Sequence, residues 1–77
     1  MPHIIVKLLP GRNEEQKRLL AEAITSDVVR IAKCDASLVS VAVEEVEATE
    51  WPEKVYRPDI LSAGAKLYKK PGYNPFE

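Results

Sequence analysis

Apolar positions change their spacing along this chain, and each change marks an element. His3 to Leu9 reads HIIVKLL, a short run rich in Ile, Val and Leu that stops at Pro10-Gly11. That pattern predicts a strand, mostly buried on both faces. Pro2, Ile4, Val6 and Leu8 share one side of it, and His3, Ile5, Lys7 and Leu9 the other. The spacing then lengthens. Leu20, Ile24, Val28 and Ile31 recur at helical intervals, and Leu19, Ala23 and Ala32 widen the stripe. Asn13 is a good N-cap with Gln16 three residues on, Glu14 and Glu15 complement the dipole of the first turn, and Arg30 and Lys33 that of the last. Together these predict a helix over about 14–33. Leu38 to Glu47 alternates, with Val39, Val41 and Val43 opposite Ser40, Ala42 and Glu44, and predicts a second strand. Trp51-Pro52 suits the start of a short helical segment that Pro58 breaks. Ile60, Leu61, Ala65, Leu67 and Tyr68 support a further helix over about 59–69, closed by Pro71-Gly72.

The predicted order is β-α-β-α in a single domain, 1–77, of α/β (α+β) class. A long helix between two strands is a crossover, so the strands should run parallel with a right-handed connection. Two strands make a marginal sheet with two open edges. A second copy that extends the sheet to four strands, with the helices on one face, enlarges the sheet and covers one open edge of each copy. Size points the same way. A chain of 77 residues buries only about 60% of the surface its unfolded form exposes. One cysteine excludes an internal disulfide, and one cysteine with one histidine leaves no set of ligands for a structural zinc. Association with another chain is the device that remains.

Charge narrows the function. Eleven Lys+Arg against twelve Asp+Glu give a net charge of −1, which is not the footprint of a nucleic-acid binder. Glu44, Glu45, Glu47, Glu50 and Glu53 crowd one stretch, and Lys54, Arg57, Lys66, Lys69 and Lys70 follow; a solvated rim accounts for them. No apolar run approaches the ~18 residues of a membrane span. No secretory apolar segment follows Met1, and the free Cys34 fits a reducing compartment, so the cytoplasm is expected.

The catalytic inventory is thin. His3 is the only histidine, so no nucleophilic triad can form, and the three glycines are too scattered to cradle a phosphate. One feature carries chemistry. Proline follows the initiator methionine, and a small second residue permits removal of Met1. Pro2 would then hold a free secondary amine at the head of a buried strand. Desolvation and nearby cations lower an amine's pKa toward the range where a general base works best.

The stretch MPHIIVKLLPGRNEEQK resembles the start of the 4-oxalocrotonate tautomerase family. The likeness extends over nearly the whole chain, through the valine-rich strand Ser40 to Val43, the Trp51 segment and the ending Lys69-Lys70-Pro71-Gly72-Tyr73. That ending and the length resemble the short dimeric branch of the family, so a homodimer is expected before a hexamer. The resemblance implies a cofactor-free keto–enol isomerase acting on a small enol or keto acid, with Pro2 as the base. It implies that Arg12 binds a substrate carboxylate and places Trp51 near an aromatic pocket position. Where the family carries a carboxylate- and carbonyl-polarising arginine on the second strand, this chain has Ala42. Lys7 and Arg57 are candidate replacements, and His3 opens the strand beside Pro2. The competing reading is a non-catalytic α/β dimer that binds a protein or metabolite.

Overall fold

The computed structural model describes residues 1–77. Strand β1 (His3–Leu8) leads through a turn into helix α1 (Glu14–Ala32). A single 3-10 turn (Ala36–Leu38) then feeds strand β2 (Ser40–Glu45). The two strands pair in parallel, with His3 beside Ser40, Ile4 beside Val41 and Leu8 beside Glu45. This is the expected β-α-β crossover.

Local chemistry explains why α1 starts where it does. The Asn13 side chain accepts the Gln16 backbone N–H at 2.8 Å, and the Gln16 side chain accepts the Asn13 N–H at 3.0 Å. Two of the first turn's otherwise unpaired donors are thereby satisfied. At the other end Lys33 takes the left-handed conformation (φ 58°, ψ 59°) and donates its N–H to Val29 O at 3.1 Å.

Register determines which side chains are covered. Ile4, Val6, Val41 and Val43 lie side by side on one face of the sheet and are half-buried, as are Ala21, Ile24, Thr25 and Val28 along α1, which packs against β2. Other apolar residues of α1 stay open: Leu19 and Ile31 are 53% and 66% exposed. The first strand was expected to be mostly buried on both faces, yet Ile5 on its second face is 49% exposed. None of the residues from Met1 to Glu45 is fully buried. The apolar stripe is wider than one sheet face can cover.

Internal contacts divide the chain into two units, Met1–Glu45 and Val46–Glu77. In the second unit the helix expected over 59–69 is displaced. A helical segment with the wide i→i+5 spacing runs from Pro52 to Ile60 and continues as a 3-10 segment, Leu61–Lys66. Pro58 lies within the first piece instead of ending it. Proline lacks an N–H and clashes with the preceding turn of an α-helix; the wider winding accommodates both. Gly64, at φ 59° and ψ −129°, leaves helical geometry altogether, and the second piece ends by Lys66. Val55 and Tyr56 are the buried residues of this unit. The Tyr56 hydroxyl donates to Tyr73 O at 3.1 Å, and its ring meets those of Tyr73 and Phe76 at 5.4 and 5.8 Å between centroids.

Candidate active site

Pro2 heads β1 and is half-buried. Its carbonyl accepts the Ser40 backbone N–H at 3.1 Å, which continues the parallel ladder one step beyond the strand proper. Beside it the His3 Nδ1 lies 2.6 Å from the Ser40 hydroxyl. Met1 projects away, 98% exposed, so its loss removes no packing. The main-chain nitrogen of Pro2 therefore sits where the chain leaves the sheet, at the amino ends of both strands.

Arg12 lies at the opposite end of the sheet. It is exposed, and its guanidinium donates to Leu9 O at 3.3 Å, just past the end of β1. Six strand residues separate the two groups, about 20 Å at the usual rise of roughly 3.3 Å per residue. One small keto acid cannot touch Pro2 and Arg12 of the same chain. A site that uses both must take Arg12 from another copy.

Ala42 lies beside Ile5 in the register, and Lys7, beside Glu44 two residues further along, is a cation on the same sheet face. Of the two candidate replacements, Arg57 is already engaged. It donates to both carboxylate oxygens of Glu53, at 2.9 and 3.1 Å, and its guanidinium carbon lies 4.5 Å from the centre of the Phe76 ring. Hydrogen bonding to Arg57 holds the Glu53 carboxyl below its usual value, and the same bond raises the arginine. Trp51 belongs to the second unit, is half-buried, and donates its indole N–H to the Tyr73 hydroxyl at 2.8 Å. Its polar edge thus already has a partner.

At the carboxyl ends of the strands Lys17 bridges Glu14 at 3.0 Å and Glu45 at 3.6 Å. The hydrogen bond to Glu14 raises its pKa above the ordinary lysine value. This tie joins the start of α1 to the exit of β2 and is structural. Ser40 was not singled out from the sequence as a partner of Pro2 and His3. Period-two alternation places it on a face, but only the register of the parallel pair brings it to His3. No group of three or more His, Cys, Asp or Glu could hold a metal ion. No helix is long and apolar enough to cross a membrane.

The parallel β-α-β crossover with Pro2 at its head is the architecture that the sequence resemblance implies. Comparison with known proteins agrees. The family described as "Tautomerase enzyme" matches residues 2–52. A probable tautomerase of Xylella fastidiosa (strain 9a5c) is 47% identical over 73 residues, covering 95% of this chain and 89% of that one. Tautomerase PptA of Klebsiella pneumoniae (strain 342) is 40% identical over 75 residues, covering 96% and 99%. Among solved structures, TomN, a 4-oxalocrotonate tautomerase homologue in the tomaymycin biosynthetic pathway, superposes with a TM-score of 0.63 at 34% identity. That match covers 65% of this chain and 77% of TomN. The chain belongs to the tautomerase family, and its activity is that of an isomerase.

Proposed function

We propose that this chain is a cofactor-free keto–enol tautomerase for small α-keto acids and their enols, with the amine of Pro2 as general base once Met1 is removed. The observation that carries this reading is the placement of Pro2. It is half-buried, its carbonyl is fixed by Ser40, and its nitrogen is capped only by a fully exposed methionine. Removal of Met1 frees that nitrogen as a secondary amine at the head of the strand.

The step balances without any co-reactant. The Pro2 lone pair takes the proton of the enol hydroxyl. The oxygen's electrons close the carbonyl, and the carbon–carbon π pair moves to the neighbouring carbon. That carbon takes a proton from the prolinium, which regenerates the amine. Arg12 of a second copy grips the substrate carboxylate, because its own chain's Pro2 is about 20 Å away. In this reading the whole chain, 1–77, is one tautomerase-like domain of a cytoplasmic homodimer whose two sheets join into four strands.

A spectrophotometric enol-to-ketone assay tests it, with protein whose mass confirms loss of Met1. Pro2→Ala keeps a terminal amine but loses the ring that fixes its direction. Activity should fall by a factor within or below the 10²–10⁴ typical of general-base catalysis. Full activity in a preparation that retains Met1 overturns the mechanism, since no amine then exists at Pro2.

A further inference from the structure

Pro2 as a base poses a mechanical problem. The pyrrolidine ring fixes the nitrogen relative to Cα. One soft torsion, ψ of Pro2, still lies between that nitrogen and the sheet. A residue at the very end of a strand is where ladders fray most easily. Something must hold the carbonyl of Pro2 if its nitrogen is to keep one direction.

Two bonds do so, and both run to Ser40. Its backbone N–H reaches Pro2 O at 3.1 Å, which fixes ψ of Pro2. Its hydroxyl lies 2.6 Å from His3 Nδ1, across the first pair of the register. The side-chain bond ties His3 to Ser40, so the outermost main-chain bond, from Ser40 to Pro2 O, is not the only tie at the frayed end. His3 and Ser40 are both exposed, so packing does not hold them together.

We propose that the His3–Ser40 pair is a positioning device for the tautomerase reaction, a latch that keeps the Pro2 nitrogen aimed at the substrate. The proposal rests on Pro2 being the base. Neither residue touches substrate. Both act through the main-chain bond between Ser40 and Pro2.

The latch gives a pattern that a purely structural pair would not. Ser40→Ala and His3→Ala should each lower kcat about two- to fivefold, the range set by the strength of one cross-strand hydrogen-bonded pair, and leave KM nearly unchanged. The double variant should be no worse than either single one, because both break the same bond. Ser40→Thr keeps the hydroxyl and should retain most of the kcat. Amide exchange at position 40 should quicken in His3→Ala, since that amide is the donor to Pro2. These measurements use the mature full-length chain, with Pro2→Ala alongside. If Pro2→Ala lowers activity sharply while the His3 and Ser40 losses multiply, or fall on KM, the latch is wrong and the base stands. If Pro2→Ala leaves activity intact, both fall together.

Discussion

The separation of Pro2 and Arg12 makes a quantitative prediction about mixed subunits. Within one chain the two groups lie at opposite ends of β1, and the Arg12 guanidinium is anchored on Leu9 O at 3.3 Å. Swinging that side chain about its Cα does not close a gap of about 20 Å. Arg12→Ala removes a charge-assisted bond to a carboxylate, typically about 1.5–3 kcal/mol, and should lower kcat/KM on the order of 10- to 150-fold. Pro2→Ala removes the directed base. Each variant alone is therefore nearly silent at low substrate concentration. Unfolded together in equal amounts and refolded, the two should complement. A complete site needs Pro2 from an Arg12→Ala chain and Arg12 from a Pro2→Ala chain. Each choice has even odds, so recovery should be about one quarter of wild-type activity per site, in a dimer or in any larger ring. The assay is the initial rate of ketone formation well below the wild-type KM. A mixture that never exceeds the mean of its two parents would refute cross-subunit pairing, and with it the role of Arg12 in the Pro2 site.

Three further outcomes test the fold that carries the site. Asn13→Ala breaks the reciprocal cap of α1 and should cost about 1 kcal/mol, lowering Tm by about 6 °C in a calorimetric scan at fixed protein concentration; an unchanged Tm would mean the cap is idle. Gly64→Ala meets no atom within 4 Å, so its cost is backbone strain alone, on the order of 1–3 kcal/mol, read as a lower urea midpoint. The bond to Arg57 depresses the Glu53 pKa, so its contribution to stability is present above the ordinary carboxylate value and is lost as pH falls through the lowered one. The step should be small, because the pair is exposed, and urea titrations at several pH values should show it missing in Glu53→Gln.

How much the sequence reveals depends on the range of the forces involved. The start of α1 is legible because the Asn13–Gln16 box lies within four residues and needs no tertiary partner. β1 and β2 are legible from alternation and β-branched content. The parallel direction follows from the length of the crossover. The segment after Trp51 is different. Pro58 reads as a breaker only for an ordinary α-helix, and the wider winding removes that objection. Gly64 reads as an ordinary member of a helix until its backbone angles are known. The His3–Ser40 pair joins residues 37 apart through a register that a one-residue slip would destroy. Trp51 shows a further limit. Its presence is plain in the sequence, but the bond from its indole N–H to Tyr73 depends on how the residues after Lys66 return to it.

Parallel strands gather both amino ends at one end of a sheet and both carboxyl ends at the other. Here the first holds Pro2, His3 and Ser40, and the second holds Arg12, the Asn13 cap and the Lys17 tie. In the proposed site, proton chemistry and substrate grip therefore reside on separate parts of the molecule that share no side-chain contacts. Variation can act on one without disturbing the other. Drift in the turn after β1 would change which acid is held, while the machinery at the head of the chain stayed intact. A fold arranged this way can acquire new substrates by small steps, each leaving a working catalyst behind.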